Sequence, residues 1–292
     1  MGPHHPECPD RLGAIGDRLT AAGVEPLLRP YTAPAATREQ LERVHGSRYI
    51  DAVESASPSS GLNYLDPDTA LCPDSLDAAR HAAGAVVLGV DLVMRDECRT
   101  AFCAVRPPGH HAERARAMGF CVFNNVAVGA AHALAEHGLS RVAIVDFDVH
   151  HGNGTEEIFA GDERVLMIGT FQYPLYPYSG VDPLGPNMMN VPLSPGTRGA
   201  RFREVMERKL LPALDEHAPE LILVSAGFDA HREDPLANLQ FEDDDFAWVT
   251  RELVTLAQRH AQGRVVSTLE GGYALSALGR SATEHVRALL AT

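Results

Sequence analysis

Lysine is almost missing from this chain of 292 residues: Lys209 is the only one. Lys plus Arg total 25 against 39 Asp plus Glu, a formal net charge of −14. That deficit excludes a broad nucleic-acid surface, which needs cations for phosphates. It suits a soluble chain and is compatible with a cationic substrate. Cysteine is sparse and unpatterned. Cys8, Cys72, Cys98, Cys103 and Cys121 form no CxxC pair, which excludes a zinc-finger framework and points to free thiols in a reducing compartment. No apolar run approaches the ~18 residues of a membrane span. The first residues show no cationic stretch leading into an apolar one, so a cytoplasmic enzyme without membrane contact is expected. Repeats and low-complexity linkers are absent too. With 45% hydrophobic and 22% charged residues, the composition is that of a globular protein long enough to bury a core without staples. Disordered tails, collagen-like fibres and disulfide miniproteins are excluded, and a single domain over residues 1–292 is expected.

What is present is an alternation. Short apolar runs rich in β-branched residues lie at 101–105, 141–146, 165–170, 221–225 and 264–269. Continuous rather than alternating apolar residues indicate strands buried on both faces. Helical patterns intervene at about 74–95, 124–137, 198–216, 242–262 and 276–290. Gly138 sits where a glycine ends a helix, and Asp74 or Ser75 can cap one. Residues 55–60 and 173–195 read as loops. The expected fold class is α/β, a parallel sheet with helices on both faces.

In open parallel sheets, ligands collect beyond the carboxyl ends of the strands. Four strand ends here carry reactive groups. Arg106–His111 (RPPGHH) follows the first, and Asp146–Gly154 (DFDVHHGNG) the second. Ala226–Asp229 (AGFD) and Glu270–Tyr273 (EGGY) follow the other two. Asp146, Asp148 and His150 alternate in an extended segment and share one face. Two carboxylates and an imidazole there repel unless a cation intervenes. Asp148 and His150, joined by Asp229, make a nitrogen–oxygen site with open positions, the pattern of a catalytic zinc; Fe(II), Mn(II) or Co(II) suit the same donors. By itself a DxDxH triplet is a solvated loop, and a pair such as His110 and His111 is weak evidence; the joint occurrence is the signal. Gly271 and Gly272 allow close approach to a ligand, and the phenol of Tyr273 can donate to a developing oxyanion. His137, His217 and His260 are expected to face solvent, with His132 and His81 ordinary helix residues.

These segments resemble the motifs of the histone deacetylase family, part of the arginase–deacetylase superfamily. Arg106–Ala112, Gly119–Asn125 (GFCVFNN), Asp146–Thr155, Ser225–Asp229 and Glu270–Tyr273 occur in the family order. His5-Pro6-Glu7 with Arg11, and Val44-His45 with Tyr49, match its N-terminal pattern, though without the strand that usually precedes it. Asn153 and the Asp-Phe-Asp segment are most similar to the class II branch and its bacterial amidohydrolase relatives. The resemblance implies the arginase–deacetylase fold, with Zn²⁺ on Asp148, His150 and Asp229. It implies that His110 and His111 flank the attacking water, with His111 the general base and acid. Asp146 then orients His110, Asn153 orients His111, and Tyr273 binds the substrate carbonyl. Gly119 accepts the amide N–H. Phe120 and Tyr176 line a narrow apolar slot with Leu236 at its rim, and Arg11 faces an inner cavity. Potassium is implied near Asp146 and at Phe159, Asp162 and Val165. At the first of these sites the matching serine is Gly169, which lacks the hydroxyl.

The expected substrate is an acetylated primary amine, acetyl-lysine in a protein or peptide before an acetylpolyamine. Leu236 stands where polyamine-selective relatives carry glutamate, and the segment between Glu54 and Asp74 lacks the insertion that closes the dimeric pocket of some acetylpolyamine amidohydrolases. The oligomeric state is left open. A non-catalytic acyl-binding protein is expected to have lost a ligand or the tyrosine. An arginase-like enzyme is expected to carry more bridging carboxylates.

Overall fold

In the computed structural model, which describes Gly2 and residues 5–291, the alternation becomes a layered α/β domain. Six strands form one all-parallel sheet in the order β3-β8-β7-β4-β5-β6. The ranges are β3 Thr100–Cys103, β4 Val142–Asp146, β5 Val165–Gln172, β6 Met188–Leu193, β7 Leu221–Ala226 and β8 Val265–Leu269. A separate antiparallel hairpin pairs β1 Asn63–Asp66 with β2 Thr69–Leu71.

The continuous apolar runs are explained by cover on both faces. Ala143 and Val145 of β4 pack with Ile15, Phe202, Leu253 and Leu278 from helices of one layer. Val142 and Ile144 pack with Val86, Val90 and Val126 from the other. Ser75–Met94 and Asn125–Glu136 are the helices of that second layer. Asn124 caps the latter by accepting the Ala127 N–H, and Gly138 follows its end at φ +64°. The expected helix over 198–216 is present with a π-type stretch at Met206–Leu210 in its middle. Ser75 takes up the Cys72 N–H at 2.9 Å, and Asp74 makes no side-chain cap.

Two expectations are corrected. Met188–Leu193, read as loop, is the edge strand β6. Its Pro192 is tolerated because only one side of an edge strand pairs. His137, His217 and His260, expected at the solvent face, are half-buried: His137 Nε2 is 2.8 Å from the Asp91 carboxylate that also meets His132, His217 Nε2 is 3.1 Å from the Val142 carbonyl, and His260 Nε2 is 2.6 Å from Asp215. None of the described helices is long and apolar enough to cross a membrane.

One buried polar link ties the last helix to the sheet. His285 lies between Thr250 Oγ1, 2.6 Å from Nδ1, and Ser267 Oγ, 2.8 Å from Nε2. Thr250 gives its own hydrogen to the Phe246 carbonyl, so His285 Nδ1 donates to it. Burial lowers the ring's pKa to about 3, which keeps the ring neutral and makes Nε2 the acceptor of the Ser267 hydroxyl. An unfolded histidine titrates near ~6.5. Between these values the unfolded chain binds the extra proton, so stability falls as pH falls. Stability at pH 5 is expected to be about 2 kcal/mol lower than at neutrality from this group alone. His285→Gln should flatten that part of the urea-midpoint profile, and a variant with the parent's slope would contradict it.

Candidate active site

The four reactive segments read from the sequence follow β3, β8, β7 and β4, which are neighbours in the sheet. The chain order reverses between β4 and β7, the place where such sheets open a crevice. Asp148 and His150 reach it from β4 and Asp229 from β7.

One donor atom from each of Asp148, His150 and Asp229 lies within 4.8 Å of the other two. His150 Nδ1 is 3.0 Å from Asp148 Oδ1 and 3.2 Å from Asp229 Oδ2. Main-chain groups fix both carboxylates: Gly271 N–H donates to Asp148 Oδ2 at 2.8 Å, and Val149 N–H to Asp229 Oδ1 at 2.9 Å. The backbone comes so close that a Cβ on Gly271 would overlap Asp229 Oδ2, and one on Gly227 would overlap Asp148 Oδ2. Asp229 Oδ2 is left buried with no hydrogen-bond donor. A buried, undonated carboxylate oxygen aimed at a second carboxylate and an imidazole is costly unless a cation joins them. The donor set thus fits a divalent ion. The protein's own charges express the same strain. Burial and the charge of Asp148 push Asp229 up to about 7. Burial works to lower His150, but the neighbouring Asp148 and Asp229 outweigh it and raise the ring to about 10.

His110 and His111 stand side by side, ring centroids 4.0 Å apart. Their loop hangs from Glu270, which accepts the Gly109 N–H at 2.6 Å and the His110 N–H at 3.1 Å. His110 Nδ1 meets Asp146 Oδ2 at 2.9 Å, and His111 Nδ1 meets Asn153 Oδ1 at 2.8 Å. These partners pull the two rings apart electrostatically. Burial works to lower His110, but Asp146 and Asp148 prevail and hold it well above the ordinary range. Burial lowers His111, and the neighbouring His110 and His150 add to the effect. Asp146 thus favours the charged form of His110 and burial the neutral form of His111, a division typical of acid–base pairs.

Above the cluster is a pocket of ≈200 Å³ lined by His110, His111, Gly119, Phe120, His150, Tyr176, Leu236, Gly271 and Tyr273, with Asp68, Pro108 and Leu175. Arg11 and Gly272, expected to bind substrate, are not part of that lining. Arg11 is fully buried, donates from Nε to the Gly272 carbonyl at 2.7 Å, and sits 5.0 Å from the Tyr273 ring centre. Asp146 and Asn153 stand behind the histidines. Phe159, Asp162 and Val165 lie away from the pocket, and their carbonyls surround Asn187 Nδ2. Gly169 pairs with Asp146 across β4 and β5 and has no side-chain oxygen to offer.

Sequence reasoning missed the residues that hold the wall. Gly119 and Phe120 have φ of +57° and +68°, strained for Phe120. The hairpin supports them: Asp68 Oδ1 accepts the Gly119 N–H at 3.0 Å and Thr69 Oγ1 the Phe120 N–H at 3.1 Å. Asp234 Oδ2 accepts the Tyr273 N–H at 2.7 Å. Asp68 and Asp234 are lone polar residues outside the strands and Thr69 opens β2, all without a spacing signal; Glu270 was visible only as part of its motif. A Cβ on Gly119 would overlap His111 Cδ2. Gly119→Ala is therefore expected to displace the imidazole and cut turnover by about 10²-fold, as small misplacements do. Steady-state kinetics on a folded variant check this, and a loss under twofold would contradict the packing argument.

A neutral imidazole facing a buried nitrogen–oxygen cluster at a sheet's switch point is the equipment of a metal-assisted amidohydrolase. The comparisons agree. A family model described as the histone deacetylase domain matches residues 5–289. The chain is 40% identical over 276 residues to the histone deacetylase-like amidohydrolase of Pseudomonas aeruginosa, covering 92% of this chain and 72% of that one. It is 37% identical over 286 residues to a probable deacetylase of Archaeoglobus fulgidus, covering 94% and 78%. With the polyamine deacetylase HDAC10 of Mus musculus it shares 39% identity over 307 residues, 97% of this chain and 45% of the other. The solved HDA15 HD domain superposes with a TM-score of 0.93 at 37% identity, covering all of this chain and 84% of that one. The chain belongs to the histone deacetylase family and is a hydrolase of the deacetylase and amidohydrolase type.

Proposed function

We propose that the chain is a zinc-dependent deacetylase that removes acetyl or a related acyl group from an acylated primary amine, with acetyl-lysine in a peptide or protein as the preferred substrate. The observation that carries this reading is the undonated oxygen of Asp229 beside Asp148 and His150, at the floor of a pocket that also holds His111 and Tyr273.

Asp148, His150 and Asp229 hold the ion. Zinc bound there supplies carbonyl polarisation and a more acidic water. The residues of the chain do the rest. Phe120 and Tyr176 flank the alkyl stem and exclude water. The Gly119 carbonyl accepts the amide N–H and fixes the amide plane. His111 takes a proton on Nε2 as water attacks the carbonyl carbon. Tyr273 donates its phenolic hydrogen to the developing oxyanion. His110, held charged by Asp146, adds a positive field to the same atom. His111 then gives its proton to the leaving nitrogen as the C–N bond breaks, releasing amine and carboxylate.

A second reading, hydrolysis of acetylpolyamines, is favoured by the HDAC10 relatives and by the carboxylate of Asp68 in the pocket lining, a partner for a distal ammonium. Leu236 favours the first, because an apolar side chain at the rim offers no counter-charge. kcat/KM on an acetyl-lysine peptide is expected to exceed that on N-acetylputrescine. Faster acetylputrescine turnover by the zinc-loaded protein would reverse the order, and turnover of neither would reject both.

A further inference from the structure

An asparagine amide can face a histidine in two ways. With its oxygen toward Nδ1, the ring carries its hydrogen on Nδ1 and leaves Nε2 bare. With its nitrogen there, the hydrogen moves to Nε2, which then cannot take a proton. Oxygen and nitrogen are almost the same size, so shape does not choose between the two. A third group has to. Asn153 presents Oδ1 to His111 Nδ1 at 2.8 Å and Nδ2 to Glu113 Oε1 at 2.8 Å, with Met118 Sδ at 3.3 Å and the His111 carbonyl at 3.5 Å as weaker acceptors of the same Nδ2. A carboxylate only accepts, so flipping the amide would set oxygen against oxygen. Glu113 is itself fixed by Arg116, whose Nε and Nη2 reach its two oxygens at 3.1 and 2.8 Å.

We propose that Glu113 is a positioning residue for the proton transfer: it fixes the orientation of the Asn153 amide, and through it the His111 tautomer that leaves Nε2 free. This rests on His111 being the general base of the proposed reaction. The test crosses Glu113→Leu and Glu113→Gln with Asn153→Asp, a side chain with no wrong orientation. In the zinc-loaded parent, Glu113→Leu is expected to lower kcat on an acetyl-lysine peptide by about tenfold, within the range of general-base effects, with KM little changed. Glu113→Gln, which keeps an acceptor oxygen, recovers most of the rate. In the Asn153→Asp background, where a second carboxylate faces Glu113, Glu113→Leu relieves that repulsion and lowers the rate no further. An equal loss in both backgrounds would reduce Glu113 to a structural prop, and full kcat in Glu113→Leu would overturn the proposal outright. Imidazole ¹⁵N spectra of the zinc-loaded proteins separate this from the reaction itself: Glu113→Leu must raise the share of His111 protonated on Nε2 even if no substrate is turned over. An unchanged tautomer sinks the proposal.

A different observation carries a second inference. The carbonyls of Phe159, Asp162 and Val165 close on Asn187 Nδ2 at 2.9, 3.0 and 2.8 Å, while Asn187 Oδ1 accepts the Gly161 N–H at 2.9 Å. Three carbonyl oxygens around one centre make a cage of the kind that replaces the hydration shell of potassium. Here the centre is an amide nitrogen with a partial positive charge. We infer that Asn187 stands in for the monovalent cation implied at these residues, so that this part of the fold needs no potassium. Asn187→Ala, or Asn187→Ser if the first does not fold, should raise its melting temperature on exchange of tetramethylammonium for potassium by more than the parent does. A folded variant with no such excess overturns the inference.

Discussion

Replacing Tyr273 by Phe is expected to lower kcat on an acetyl-lysine peptide by about 10²–10³-fold, the cost of losing one well-placed oxyanion donor. The substitution removes a single hydroxyl from the pocket wall. The backbone stays put, because Asp234 holds the residue 273 N–H at 2.7 Å and the ring keeps its edge contact with Phe120, centroids 6.0 Å apart. KM is expected to change little, since the phenol bonds more strongly to the charged oxygen of the transition state than to the neutral carbonyl. Burial raises the Tyr273 pKa well above its ordinary value, so the hydroxyl keeps its hydrogen throughout the working pH range. Metal content, measured by atomic emission, should equal that of the parent. A fully active variant would remove Tyr273 from the mechanism.

Asp229→Ala is expected to abolish both metal binding and turnover. The substitution leaves two donors, Asp148 and His150, where three converged. It also removes the acceptor of the Val149 N–H, so a loss of activity alone could reflect a disturbed loop. Asp229→Asn separates the effects: it keeps an oxygen for Val149 but places a neutral amide where Asp229 Oδ2 now points. Both variants should emerge from zinc dialysis with a metal-to-protein ratio near zero and an intact melting transition. Chelation of the parent should stop turnover, and zinc should restore it. Stoichiometric metal in Asp229→Ala would place the ion elsewhere.

The floor of the site was legible in the sequence because it hangs on strand ends. Each buried run is a strong pattern, and the residue after it has a fixed place in a parallel sheet; DxDxH then puts its side chains on one face by backbone geometry alone. Asp229 was read with them as a carboxylate at another strand end, and the pairing of β7 with β4 is what brings it beside them. What stayed hidden depends on polar residues in turns. Asp68 matters because Gly119 needs a partner, Glu113 because Asn153 does, and Asn187 because three carbonyls do. None of these needs has a period. Met188–Leu193 was missed for another reason: it follows a proline-rich stretch and contains a proline itself, so local chemistry reads as loop while pairing with β5 makes it a strand.

The pocket has two kinds of wall. Its base is built on four adjacent strands that share one hydrogen-bonded frame, whereas Asp68, Tyr176 and Leu236 come from connecting segments. Drift in the connecting segments can therefore reshape the mouth of the pocket while the donor cluster on the strand ends stays constant.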